Sequence, residues 1–136
     1  MIIAGAGGHG KEVRQVLLQQ GFLTSELSFF DEDPTRLIGS DVFTSREISA
    51  HFIKDSRFVL GVGNPRFREK LHIFLSGLGG ILYGVSVHTS SPEQNSPHLF
   101  DEMPFSFVGP ETSIGLGVLV NTRAHVHHIS FKNSYP

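Results

Sequence analysis

The chain has 136 residues, 39% of them apolar and 18% charged, which is the size and composition of one globular domain or of a small domain with an appendage. Its formal charge of −2 and its scattered Lys and Arg residues exclude a basic surface for polymeric nucleic acid, and no apolar run predicts a membrane span or a secretion signal. Because the sequence has no cysteine, disulfides and thiolate chemistry are excluded, and we expect a reducing, cytoplasmic location.

The first predicted element is a short apolar strand that leads into a glycine-rich turn and then a helix. Gly5, Gly7 and Gly10 have the spacing G-x-G-x-x-G, and the helix predicted over residues 11–20 directs its free N–H groups and the positive end of its dipole at the turn. An acidic cluster, residues 31–33, follows where dinucleotide-binding folds place a ribose contact. The pattern predicts a phosphate-binding turn, and a nicotinamide dinucleotide is the first ligand that it suggests.

The next elements continue the alternation of strands and helices. They are a strand over residues 27–30, a short helix after the capping box of residues 44–47, a strand over 57–62, a helix capped by Asn64, and a strand over 81–87. Such alternation predicts an α/β fold with a parallel sheet and flanking helices. We place the end of this unit near His88, which gives a first domain of residues 1–88.

Residues 89–136 have a different pattern. After a stretch rich in Ser, Pro and Asn, aliphatic residues recur every six positions, at Val108, Ile114, Val120 and Val126. This period predicts a hexapeptide parallel β-helix, in which three hexads form one coil. Four hexads form only about one and a third coils. We therefore expect an incomplete β-helix that packs on the α/β domain, on other protomers or on residues outside this sequence.

Four sequence motifs, taken together and in this order, resemble the bacterial sugar-nucleotide acetyltransferases of the PglD and NeuD type. The motifs are GAGGHGKEV, FFDEDP, GVGNPRFREKL and VNTRAHVHHI. The resemblance implies a Rossmann-like domain that binds a nucleotide-activated sugar, of the UDP-amino sugar or sialic acid type, and a left-handed β-helix that forms a homotrimer and binds acetyl-CoA. It also implies N- or O-acetylation of that sugar for bacterial surface glycans, without a metal.

By the same resemblance, the glycine turn would hold the nucleotide diphosphate and two carboxylates would lie beside the uridine. The implied substrate-binding residues are Gly7, Gly8, His9, Gly10, Asp31, Glu32, Gly63, Asn64 and Arg68. Backbone N–H groups and arginine suit phosphates, whereas carboxylates accept hydrogen bonds from ribose hydroxyls or from a base N–H. These assignments have simple alternatives. The glycine turn could be a tight strand-to-helix connection without a ligand, and the acidic cluster could be a solvated turn. Arg68 could lie on a solvated helix face, and His9 could serve as a cap.

The resemblance also implies a catalytic residue, His128, which follows Asn121 with the spacing of the family's general base. A neutral imidazole can accept a proton from a sugar amine or hydroxyl as that group attacks the thioester carbonyl. The family usually has an acidic residue directly after this histidine, but this sequence has Ile129. His127 therefore remains an alternative base. For the cluster of His125, His127 and His128, the alternatives are that these side chains face solvent or that they form a metal site.

Two further hypotheses belong to other classes of function. The chain could be a binding module that holds a UDP-sugar without catalysis, because most of the acetyl-CoA surface is missing from four hexads. It could also be an NAD-dependent oxidoreductase, which the glycine spacing and Asp31 allow but the hexads disfavour.

Overall fold

The computed structural model describes residues 1–36, 42–86, 100–108 and 113–126. In this part of the chain the helices are α1 (Gly8–Gln19), α2 (Ile48–Lys54) and α3 (Pro65–Gly77), with short 3-10 turns at Thr24–Glu26 and Pro34–Arg36. The strands are β1 (Ile2–Ala4), β2 (Ser28–Phe30), β3 (Val42–Phe43), β4 (Arg57–Leu60), β5 (Ile81–Leu82), β6 (Asp101–Glu102), β7 (Phe107–Val108), β8 (Leu119–Val120) and β9 (His125–Val126).

The first five strands form one parallel sheet in the order β3-β2-β1-β4-β5. β1 is central, so the chain crosses to β2 on one side and later to β4 on the other. In such sheets the crevice at the carboxyl ends of the central strands is where ligands bind. The topology therefore predicts a ligand site at the carboxyl ends of β1, β2 and β4.

Alternate residues of β1 face two separate layers of core. Ile3 packs with Val13 and Leu17 of α1, whereas Ile2 packs with Ile48 of α2 and Leu75 of α3. This period-two alternation of wholly apolar side chains is what a strand covered on both faces requires. The sheet is thus sandwiched between helices, as predicted for an α/β fold.

The remaining strands form two parallel pairs, β6 with β8 and β7 with β9. Asp101 pairs with Leu119 and Phe107 pairs with His125, so partners in both pairs are 18 residues apart. Three six-residue sides give this register, which is the spacing between successive coils of a β-helix. The aliphatic Val120 and Val126 are buried, in agreement with the predicted inward positions. The predicted fold class, an α/β sheet followed by β-helix strands, is confirmed.

The backbone at the corners of the coil supports the same period. Phe105, Gly117 and Arg123 all have positive φ, of 62°, 75° and 64°, and they are 12 and 6 residues apart. These three residues have the left-handed backbone conformation at equivalent positions of six-residue sides, and this conformation turns the chain through a corner of the coil.

Several predicted boundaries change in the structure. α1 begins at Gly8 rather than at residue 11, so Gly10 lies inside the helix. The strand predicted over 57–62 ends at Leu60, because Gly61 and the residues after it form the loop to α3. The strand predicted over 81–87 leaves the sheet after Leu82. The sequence analysis missed β3, which has only two residues.

The two halves of the chain meet in a shared core. Met103 of the coil is 2% exposed and belongs to the cluster on the α1 side of the sheet. Ser86 forms an isolated bridge with Glu102, and the Glu102 N–H donates to the carbonyl oxygen of Val85 at 2.7 Å. The predicted boundary near His88 lies outside the described residues.

Candidate functional site

The glycine turn, residues 5–10, brings α1 close to the carboxyl ends of β1 and β4. Gly5 has φ of +117°, and a Cβ on Gly10 would lie 1.9 Å from the carbonyl oxygen of Gly5. Gly7 precedes the helix in an extended conformation, and as a glycine it has no side chain with which to cap the first turn. The first N–H groups of α1 are thus directed at the crevice, with the positive end of the helix dipole behind them.

Asp31, directly after β2, braces this turn. Its Oδ2 accepts the Ala6 N–H at 2.8 Å, and its Oδ1 accepts the Asp33 N–H at 2.9 Å. The residue is buried. Its carboxylate therefore fixes the backbone of the glycine turn from the side of β2.

Arg36 supplies a positive charge beside the turn. Its Nη1 lies 3.4 Å from Oδ2 of Asp31, and a Cβ on Gly7 would lie 3.4 Å from its Cζ. The side chain is half exposed. An anion at the start of α1 would meet both the helix N–H groups and this guanidinium. Arg36 was not predicted from the sequence, because no local spacing places it beside Gly7.

A cavity of about 640 Å³ opens beside the glycine turn, and we call it the larger cavity. Its lining residues are Gly5, Phe30, Asp31, Glu32, Arg36, Ser45, Val62, Phe67, Lys70, Leu71 and Phe74. One wall is the exposed face of α3, where Phe67 and Phe74 are 57% and 43% exposed. Three polar residues at the ends of β2 and β3 also line the cavity, and we call them the polar wall: Asp31, Glu32 and Ser45. Aromatic side chains together with a few hydrogen-bonding groups suit a flat ring that has hydrogen-bonding edges.

The apolar residues of α3 do not all pack against the protein. Helical spacing aligns Phe67, Leu71, Phe74, Leu75 and Leu78 along one side, but only Leu75 is fully buried. The two phenylalanines instead border the larger cavity. An apolar periodicity alone does not distinguish a face that packs on the protein from one that borders a ligand site.

Glu32 is exposed on the polar wall, and its orientation is fixed. Its Oε1 accepts the Ser45 N–H at 2.7 Å, which ties the end of β2 to the loop after β3. Ser45 also lines the larger cavity. Both residues therefore add polar groups to the lining.

Gly63, Asn64 and Arg68, the third predicted group, lie at or near a separate cavity of about 220 Å³, the smaller cavity. It lies between the start of α3 and the coil, and its lining residues are Gly63, Pro65, Arg68, Gly117, Val118, Leu119 and Asn121. The Oδ1 of Asn64 accepts the N–H groups of Arg66 and Phe67, at 3.0 and 3.3 Å, so Asn64 caps α3 as predicted.

Arg68 is 2% exposed and is held on three sides, so it does not lie on a solvated face. Its Nε donates to the carbonyl oxygen of Gly117 at 3.0 Å and its Nη1 to that of Val62 at 2.9 Å. Its Nη2 lies 2.6 Å from Oδ2 of Asp101. The guanidinium thus joins α3 and the loop before it to the coil, and it does not line the larger cavity.

His9 lies in the first turn of α1 on the side of Arg68. Burial first, and then the charge of Arg68, lowers the pKa of His9 below its ordinary value, which favours the neutral ring near pH 7. Its Nε2 is buried and has no hydrogen-bond partner among the described residues.

The structure therefore divides the predicted site residues among three places. Asp31 and Glu32 line the larger cavity, the residues from Gly7 to Gly10 form the start of α1 beside it, and Gly63 and Arg68 line the smaller one. His128 and its alternative His127 lie outside the described residues. Within the described part of the chain, no three His, Asp or Glu residues cluster as a metal site would require, and no helix is long and apolar enough to span a bilayer.

The parallel sheet, the glycine turn and the crevice beside it define a Rossmann-like α/β domain. Residues 1–74 match the PglD N-terminal domain family, and the chain belongs to this family. No curated protein sequence gives a significant match to the chain.

Solved structures of acetyltransferases share the fold. One is a histidine-to-alanine mutant of GDP-perosamine N-acetyltransferase from Caulobacter crescentus in complex with CoA and GDP-perosamine, with 26% identity, a TM-score of 0.62, and coverage of 89% of this chain and 50% of that one. PerB from the same organism has 22% identity and a TM-score of 0.60, with coverage of 94% of this chain and 57% of that one. The acetyltransferase domain of PglB from Neisseria gonorrhoeae FA1090 has 22% identity and a TM-score of 0.56, with coverage of 98% of this chain and 62% of that one. The chain thus spans about half the length of the first of these proteins.

Proposed function

We propose that this chain is the sugar-nucleotide-binding part of an acetyl-CoA-dependent sugar acetyltransferase that acts in bacterial surface glycan synthesis. The observation that carries the proposal is the larger cavity beside the start of α1. The cations Arg36 and Lys70 and an aromatic wall line this cavity, and the N–H groups of the first turn of α1 lie beside it. These are the groups that a diphosphate and a nucleobase need.

The substrate would extend from the glycine turn toward the coil. The loop between β4 and α3 separates the two cavities, since Val62 lines the larger and Gly63 the smaller. A sugar attached to the diphosphate would pass this loop and reach Asn121, which lines the smaller cavity and is exposed. Gly7, Gly8, Gly10, Gly63 and Asn64 remain the proposed contacts along this route.

The chemistry that we propose is acyl transfer with His128 as general base, or His127 in its place. The sugar amine, or a hydroxyl, attacks the thioester carbonyl carbon while the imidazole takes its proton. The tetrahedral intermediate then expels the CoA thiolate, and the imidazolium returns the proton to the sulfur. The reaction needs no metal. Trimerisation of the coil and a cytoplasmic location remain part of the proposal.

Calorimetry with nucleoside diphosphates, followed by mass spectrometry of acetyl-CoA mixed with nucleotide-linked amino sugars, tests the proposal. We expect nucleoside diphosphate binding that Arg36→Gln weakens roughly tenfold, since it removes a charge-assisted contact. Arg46→Gln is the matched control, because Arg46 is exposed and does not line the larger cavity. Absence of nucleoside diphosphate binding would overturn the proposal.

A second candidate is a binding module without catalysis. It is favoured by the larger cavity, whose lining residues all lie between Gly5 and Phe74 and include no residue of the coil. Nucleotide binding without any acetylated product would select it over the enzyme.

A further inference from the structure

Glu32 and Ser45 give the larger cavity a particular hydrogen-bonding edge, and we infer from it that the nucleotide bound there carries guanine. The inference rests on the proposed function, since it assigns the base of the same ligand. It departs from the uridine that the sequence motifs suggest.

The position of the base follows from the position of the phosphates. The start of α1 and Arg36 mark the anionic end of the cavity. In parallel α/β sheets a nucleotide extends from the first glycine turn across the end of the second strand. Residues just after β2 and β3 then lie beside the nucleoside, and these are Glu32 and Ser45.

Asp31 is not the group that reads the base. Both of its carboxylate oxygens already accept backbone N–H groups, from Ala6 and Asp33. The residue is buried against the turn that it braces. The exposed carboxylate on this wall is Glu32.

Glu32 is held in place before any ligand arrives. The bond from the Ser45 N–H to its Oε1 fixes the carboxylate, and each carboxylate oxygen can accept more than one hydrogen bond. A preoriented group loses less side-chain entropy on binding than a free one. Glu32 therefore presents a fixed acceptor edge to the cavity.

This edge matches guanine better than the other bases. Guanine offers two adjacent donors, N1–H and the 2-amino group, which a carboxylate accepts together. Its neighbouring O6 is an acceptor, and the Ser45 hydroxyl is a donor. Uracil has a single N–H between two carbonyl oxygens. A carboxylate that accepts this N–H therefore lies close to a carbonyl oxygen of the base, and the repulsion between the two acceptors disfavours uracil.

The α3 wall and the size of the cavity agree with a purine. Phe67 and Phe74 are separated by two turns of α3 and both border the cavity. Lys70 lies between them in the sequence and also lines the cavity. One of the two rings can stack on the base, and the volume of about 640 Å³ leaves room for a bicyclic base, the ribose and the diphosphate.

The test is calorimetric titration of the whole chain with GDP, IDP, UDP and ADP. We expect GDP to bind roughly tenfold or more tighter than UDP and ADP, because a site built for donors disfavours a base that lacks them. IDP, which lacks the 2-amino group, should bind more weakly than GDP. Equal or tighter binding of UDP, or equal binding of IDP and GDP, would overturn the inference.

Glu32→Gln separates base recognition from a ribose contact. The amide should weaken GDP binding roughly tenfold and leave UDP binding unchanged, since only guanine uses both carboxylate oxygens. Glu69→Gln, an exposed substitution of the same kind on α3 outside the cavity, is the control. An equal loss for all four nucleotides would assign Glu32 to the ribose and overturn the inference, whereas no binding of any nucleotide would overturn the proposed function as well.

Discussion

At the scale of single residues, Gly10 illustrates how close contact decides a residue type. Glycine inside a helix destabilises it by about 0.5–1 kcal/mol relative to alanine, so its presence needs a reason. The reason here is the Gly5 carbonyl oxygen, which lies where a Cβ of residue 10 would be. The glycine lets α1 contact the end of β1 directly.

We predict that Gly10→Ala lowers the free energy of unfolding by about 3 kcal/mol or more, because α1 must move away from β1. Gly8→Ala is the control in the same helix. A Cβ there meets nothing within 4 Å, so this variant should be neutral or gain up to about 1 kcal/mol. Urea unfolding of both variants measures the difference, and a Gly10→Ala protein as stable as Gly8→Ala would contradict the close approach.

Residue-level prediction from sequence succeeded where geometry is local. The spacing of Gly5, Gly7 and Gly10 encodes a turn that needs no distant partner. Arg36 was missed because nothing in local spacing says that the chain after β2 folds back over Gly7. The surroundings of Arg68 were equally out of reach, since its partner Asp101 lies 33 residues away.

Asp55 carries a residue-scale prediction about pH. Partial burial raises the pKa of Asp55, but hydrogen bonds from Arg57 and from the Met1 amino group outweigh burial and hold the pKa well below its ordinary 3.8. A carboxyl with a depressed pKa stabilises the fold above its unfolded pKa and loses this contribution as the pH falls through the folded pKa.

We therefore expect Asp55→Asn to be less stable than the parent at pH 7, with a difference that shrinks as the pH falls below about 4. Urea unfolding at pH 7, 5 and 3 measures it. Glu69→Gln, on an exposed face, should change little at any of these pH values. A constant Asp55→Asn deficit from pH 7 to pH 3 would show that the carboxylate charge is not the stabilising feature.

At the scale of elements, α3 serves two sites at once. Its first residues line the smaller cavity, its exposed face lines the larger one, and Leu75 anchors it to the sheet. Its start was predictable because Asn64 and Pro65 are local signals. Its exposed aromatic face was not, because the same periodicity describes a packed face.

The cap of α3 should contribute measurably to stability. Asn64→Ala leaves the Arg66 and Phe67 N–H groups without their acceptor and should lower the free energy of unfolding by about 1 kcal/mol. Asn64→Asp keeps an acceptor and should retain most of the stability. Thermal and urea unfolding of both variants test this, and equal losses would mean that the amide group has another role.

At the scale of the whole molecule, the Arg68–Asp101 pair joins the sheet to the coil. Both side chains are about 3% exposed, and Oδ1 of Asp101 also accepts the Val85 N–H at 2.8 Å. The pair thus fixes the coil against α3 and against the segment that leaves β5. Two-residue strands such as β6 and β8 thus gain a support that their own few ladder hydrogen bonds cannot provide.

We predict that Arg68→Met lowers the free energy of unfolding by about 3–5 kcal/mol, because Asp101 becomes a buried charge without its partner. Asp101→Asn should also destabilise strongly, while it keeps the acceptor for Val85. Since both changes break one interaction, the double variant should be less destabilised than the sum of the single ones. Arg66→Met, on an exposed turn of the same helix, should stay within about 0.5 kcal/mol of the parent. Urea unfolding of the four variants completes the cycle, and additivity within about 0.5 kcal/mol would mean that the pair does not couple the two parts of the chain.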